Sequence, residues 1–203
     1  MKQEARKAGE DRLYDIAMAA RELIAERGFE GLRTRDIAAR AGINISTLHY
    51  HVPTKEALIA LVAQSIRDEF IAQHNARPRE GLSPLECLKL EFADFRENLV
   101  ENPRLFAVFT EVTERAKRDP KIAGNFQPMQ RYWHQQLTAI LDEGRRIGQF
   151  RPNLDPQVAS LMVIGTLIGS QRVPDTTVEL FDRACDELLR AIINPSQDTG
   201  KDK

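Results

Sequence analysis

Between Thr34 and Lys55 the chain runs TRDIAARAGINISTLHYHVPTK, and its middle concentrates side chains suited to touching a nucleic acid. Ser46 and Thr47 offer hydroxyls for base edges or phosphate oxygens, Ile45 an apolar surface for a thymine methyl, and Tyr50 a flat ring ending in a donor. His49 and His51 flank Tyr50, and their type suits either backbone or base. Thr34, Arg35 and Lys55 stand at the edges of the run, where a hydroxyl and two cations suit phosphates. Lys55 opposes the dipole of the helix it opens, a poor place for stability and a good one beside a phosphate.

Two short helices and the start of a third must hold these groups. Thr34 is expected to cap the first, with Ile37, Ala38 and Ala41 inward and Gly42 as its left-handed stop. Asn44 is expected to cap the second, with Ile43 packing on Leu48 as a hydrophobic staple. Leu48 and Val52 form the inward face, which leaves Ser46, Thr47 and Tyr50 outward. Thr54 caps the third helix. The pattern is a helix-turn-helix.

The run AGINISTLHYHVPTKEALIALV, preceded by GLRTRDIA and by a long amphipathic helix ending in ERGFEG, closely resembles the TetR family of bacterial transcriptional repressors. The family pattern is roughly T-L-Y-x-H-F-x-S/N-K-x-x-L, against Thr47-Leu48-His49-Tyr50-His51-Val52-Pro53-Thr54-Lys55-Glu56-Ala57-Leu58 here. His49 stands where tyrosine is usual, and Val52 replaces the common phenylalanine with a smaller plug. The resemblance is specific over about residues 12 to 62; beyond them it rests on the order of helices.

Composition sets outer bounds. A chain of 203 residues, 42% hydrophobic and 29% charged, is ordinary for a globular protein with a proper core. The net charge of −1 excludes a global basic field. Arg33, Arg35, Arg40 and Lys55 against Asp36 alone still make the motif locally basic. Cys87 and Cys185 lie far apart without ligand-spaced neighbours, which argues for a reducing compartment and against a zinc site or disulfide framework. The charged start MKQEARKAGEDR has no apolar core, and Leu161 to Gly169 is about half a membrane span, so a cytoplasmic protein is expected.

In order, the chain is expected to be all-α, with about nine helices. Helix one runs from about Asp11 to Arg27, with Leu13, Ile16, Ala17, Ala20, Leu23 and Ile24 on one side, and Phe29 and Leu32 seal the small core after it. The fourth helix carries Leu58, Leu61, Val62, Ile66 and Phe70 to about His74. Pro78, Gly81 and Pro84 mark a boundary. Five further starts follow: the capping box Ser83-Pro84-Leu85-Glu86, the pairs Asn102-Pro103, Asp119-Pro120 and Asp155-Pro156, and a second box at Thr176-Thr177-Val178-Glu179. The expected organisation is a three-helix DNA-binding domain over 1–56, a connecting helix over 57–74, a ligand-binding and dimerisation domain over 75–194, and a disordered tail over 195–203.

Leu161, Met162, Val163, Ile164, Leu167 and Ile168 leave the penultimate helix almost no polar face, so it should be buried on two sides. With the last helix, the expected homodimer seam comprises Leu161, Ile164, Gly165, Ile168, Phe181, Cys185 and Leu188. The family resemblance implies a four-helix seam there, a palindromic double-stranded DNA operator, and a small effector held by the middle helices. Candidate lining residues are Phe92, Phe95, Phe106, Phe109, Thr110, Phe126, Met129, Trp133 and His134, and the expected ligand is apolar or amphipathic. Pro128 should kink or start a helix just before Trp133 and His134. No cofactor is expected.

Two other classes compete. An enzyme is the first, with Glu111 and Glu114 one turn apart as an acid/base pair, but Arg115 and Lys117 beside them mark a solvated face. His49 and His51 point to different sides of their helix and cannot share a metal. The second is a protein-interaction module that reuses the helix-turn-helix. Salt separates it from a DNA binder, because phosphate contacts release counterions and an apolar contact does not.

Overall fold

The computed structural model describes residues 2–195, with side chains from residue 9 onward. The tail expected over 195–203 lies outside the described residues from 196 on. Nine α-helices account for the described fold, and among the described residues strand pairing is confined to one isolated antiparallel bridge, Phe150 with Ile193. The chain groups into two compact units, residues 1–76 with 102–129 and residues 77–101 with 130–203.

In the first unit, α1 (Lys2–Arg27) packs against α2 (Thr34–Arg40), α4 (Lys55–Ala76) and α6 (Pro103–Ala116). Ile16, Ala17, Ala20, Leu23 and Ile24 are the buried stripe, Leu13 is half-buried, and Gly28 ends the helix at φ 66°. The helix begins nine residues before the expected Asp11. Its first turns carry good helix formers but no apolar periodicity, so pattern alone could not extend it. Arg33, not Thr34, is the N-cap of α2: the Arg33 carbonyl accepts from Ile37 N at 3.1 Å, which makes Thr34 the first helical residue, and no side chain caps the helix. Gly42, at φ 65°, is the expected stop.

In α3 (Ile45–His51), Asn44 Oδ1 accepts from Thr47 N at 2.7 Å. Thr54 Oγ1 caps α4 by accepting from Ala57 N at 3.1 Å. Phe70 of α4 meets Phe106 and Phe109 of α6 at ring-centroid distances of 6.1 and 5.8 Å, and Phe126 completes this aromatic core.

In the second unit, α5 (Pro84–Glu101) and α8 (Pro156–Ser170) both pack on α9 (Val178–Ile192). The Ser83 box forms as expected, with Ser83 N donating to Glu86 Oε2 at 2.8 Å and Glu86 N returning a bond to Ser83 Oγ at 3.4 Å. Asp155 caps α8 through Gln157 N and Val158 N. Two expected caps differ in detail. Asn102 stands before α6 without a side-chain capping bond, and Thr177 rather than Thr176 caps α9, its hydroxyl accepting from Leu180 N. The Thr176 hydroxyl instead donates back to Val173 O, so it is not available to the helix. Pro128 neither starts nor ends a helix, since α7 (Pro120–Arg146) runs through it. Gly144 admits the buried Phe150 ring, which would lie 2.1 Å from a Cβ there.

Candidate nucleic-acid interface

The helix-turn-helix is assembled from inside outward. Leu48 and Val52 are 2% and 6% exposed, so α3 is pinned by one short stripe and presents the rest of its circumference. That surface carries Ile45, Ser46, His49 and Tyr50 exposed, with Thr47 and His51 half-buried at its margins. Tyr50 is 83% exposed, and its ring meets that of His51 edge to face, with centroids 5.2 Å apart at 85°. Thr34, Arg35 and Lys55 are also exposed, on the neighbouring helix starts.

The local charges divide into two groups. Arg40 Nη1 donates to Glu22 at 2.8 Å and, together with Nη2, grips Glu26 at 3.0 and 3.1 Å. Those hydrogen bonds raise the Arg40 pKa and hold the Glu26 carboxyl below the usual carboxylate range. Arg27 Nη1 bonds Asp36 at 3.3 Å, and Arg35 Nε lies 3.4 Å from the same carboxylate. The positive excess in the sequence is thus smaller at the surface, because Arg40 fastens α2 to α1. Arg33, Arg35 and Lys55 remain outward.

The candidate effector residues fall in both compact units. Phe106, Phe109, Thr110, Phe126 and Met129 belong to the first, where the three phenylalanines are core. Phe92, Phe95, Trp133 and His134 belong to the second. Phe95 stacks on Phe181 at 5.9 Å, and His134 Nδ1 lies 2.8 Å from the buried Ser160 Oγ. Trp133 Nε1 donates to Glu91 Oε2 at 2.9 Å.

That last bond leads to a polar network that apolar patterning misses. Arg79 Nη2 bridges Glu91 Oε1 at 2.9 Å and Asp94 Oδ2 at 2.8 Å, and Arg77 pairs with Asp94 and Glu97. Cys87, Glu91, Asp94 and Asn98 follow helical spacing along one face of α5, so the signal was present as polar residues at inward positions.

The expected dimer residues also separate. Leu161 is 61% exposed and Gly165 is exposed, with Ile164 and Ile168 half-buried beside them. Phe181, Cys185 and Leu188 are instead core of the subunit itself, because α9 turns that stripe toward its own unit. Val158 and Met162 extend the outward face of α8, and Leu180 is the large apolar side chain exposed on α9. Burial pushes the Cys185 thiol up to about 12, so it is a packing residue rather than a nucleophile. Among the described residues no cluster of metal-ligating side chains occurs, and no helix is long and apolar enough to cross a membrane.

Comparison with known proteins adds independent findings. Residues 16–62 match the model of bacterial regulatory proteins of the tetR family, and residues 93–189 match the C-terminal model of BetI-type transcriptional repressors. The HTH-type transcriptional regulator PksA of Bacillus subtilis is 30% identical over 148 residues, 69% of this chain and 68% of that protein. The HTH-type transcriptional repressor KstR2 of Mycobacterium tuberculosis is 25% identical over 143 residues, 70% of each chain. In fold, a putative transcriptional regulator from Saccharomonospora viridis, solved in complex with choline, superposes with a TM-score of 0.82 at 19% identity, covering 91% of this chain and 98% of that one.

Proposed function

The chain belongs to the TetR family of bacterial regulatory proteins, and from that premise we propose a homodimeric repressor released from a palindromic operator by a small apolar or amphipathic effector. It is a DNA-binding transcriptional regulator and not an enzyme. The observation that carries the reading is the outward face of α3, oriented by the Asn44 cap and by buried Leu48 and Val52.

In this reading, Thr34, Arg35 and Lys55 hold phosphates, and Ile45, Ser46, Thr47 and Tyr50 meet base edges in the major groove. His49, at the position where the family carries tyrosine, and His51 stand at the margins of this surface, where an imidazole suits either backbone or base. The exposed apolar strip of Val158, Leu161, Met162 and Gly165 supports a second copy as the partner. A two-fold axis would then set the two α3 helices about 34–36 Å apart, one turn of DNA. Residues 1–56 read the operator, α4 connects them to the rest, and the following helices hold effector and partner. The choline held by the Saccharomonospora relative supports a small amphipathic effector, with Trp133 and Glu91 among the groups that meet it. The site of action is the cytoplasm.

Selection of bound sequences from a random duplex library at two salt concentrations tests this. A palindromic site bound less tightly at high salt is expected. Equal recovery of all sequences by protein refolded to strip ligand would overturn it.

A further inference from the structure

We infer that His51 is a positioning residue for base recognition, its imidazole bracing the ring of Tyr50 and so setting where the phenol enters the groove. The inference rests on the DNA-reading function proposed above. Tyr50 is 83% exposed on a helix of seven residues, so surrounding side chains do little to fix its ring. Consecutive helix positions do not normally face each other, yet the Tyr50 and His51 rings meet at 5.2 Å and 85°. That is the edge-to-face arrangement that aromatic quadrupoles favour.

His51 is the better anchored of the two. It is half-buried at the end of α3, where Val52 N donates to Leu48 O at 2.8 Å and the buried Val52 side chain fixes the next residue. Pro53 then locks its own φ and restricts Val52, so the backbone just beyond His51 has little freedom. A phenol restrained before contact loses less rotamer freedom on docking than an unrestrained one. His51 therefore acts on sequence preference through Tyr50, without itself having to touch the DNA.

Two substitutions separate bracing from a phosphate contact. His51→Phe keeps an aromatic ring and removes the ring N–H donors, whereas His51→Gln keeps a donor and removes the ring. The base pair concerned is the one whose preference Tyr50→Ala flattens on the operator recovered by the wild-type chain. At that pair His51→Phe should keep the wild-type preference and salt slope, while His51→Gln should lose roughly two- to tenfold, the factor that a typical aromatic pair supplies. In a Tyr50→Ala background His51→Gln should cost nothing more, because there is no ring left to brace.

A His51→Phe variant that weakens all duplexes alike and lowers the salt slope would show a phosphate contact and overturn the inference. So would a His51→Gln loss that persists without Tyr50. If thermal melting shows that His51→Phe fails to fold, the Tyr50→Ala background decides, since a His51→Gln loss that persists there overturns the inference by itself. If the wild-type chain recovers no operator at all, the DNA-reading function itself falls, and this inference with it.

Discussion

Arg40 grips Glu26 with both arms of its guanidinium, Nη1 to Oε1 at 3.0 Å and Nη2 to Oε2 at 3.1 Å, and reaches Glu22 with the same Nη1. A cation in the DNA-reading motif thereby becomes a strut between α2 and α1. Lysine has no such fork, so Arg40→Lys should behave more like Arg40→Ala than like the wild type in operator affinity. Full affinity in Arg40→Lys would show that only the charge matters.

The same pair sets a pH dependence. The hydrogen bond from Arg40 holds the Glu26 carboxyl below its ordinary value of 4.5. Its contribution to stability is therefore complete above pH 4.5 and is lost as pH falls through the lowered value. Thermal unfolding of the wild type should be flat from pH 7 to 5 as far as this pair is concerned. Below that it should fall more steeply than in Arg40→Ala, and equal acid sensitivity of the two proteins would contradict the assignment.

Lys55→Ala should weaken binding to every duplex about equally and reduce the salt slope by about one, as expected for one lost phosphate contact. Folding should not suffer, since Lys55 is exposed in the first turn of α4, where a cation opposes the dipole. A loss confined to the operator sequence would place Lys55 at a base instead.

Tyr50→Ala should change preference rather than fold. Its 83% exposure leaves little packing to lose, whereas a full base contact carries on the order of 1–3 kcal/mol of discrimination. Competition between operator and single-pair variants measures that difference, and unchanged ratios would remove Tyr50 from the reading surface.

The outward and inward faces of the last two helices should respond differently. Leu161→Glu, at a position 61% exposed, should yield a folded monomer in sedimentation. Phe181→Ala, at 1% exposure and stacked on Phe95, should destabilise the subunit by about 3–5 kcal/mol. A Leu161→Glu dimer of wild-type affinity would move the interface elsewhere.

Trp133 is the only tryptophan in the chain, and its indole N–H is committed to Glu91. A small amphipathic ligand that enters there should shift its emission, and Glu91→Gln should alter both the baseline and the titration. Saturable binding that leaves the emission unchanged would place the ligand elsewhere.

The all-α class, the helix-turn-helix and most helix starts were legible in the residues alone, because each depends on neighbours within one turn. Asn44 caps Thr47, Ser83 and Glu86 cap each other, and Gly42 stops α2 through contacts only a few residues long. The remaining side chains take their roles from long-range partners, which appear only once the helices are packed. Arg40 and Arg79 have the same chemistry in the sequence, but one meets Glu22 and Glu26 on α1 and the other Glu91 and Asp94 on α5. Phe181 and Leu161 are equally apolar, yet the orientation of α8 and α9 buries one and exposes the other. Periodicity gives the angle of a residue around its own helix, and only packing fixes what lies at that angle.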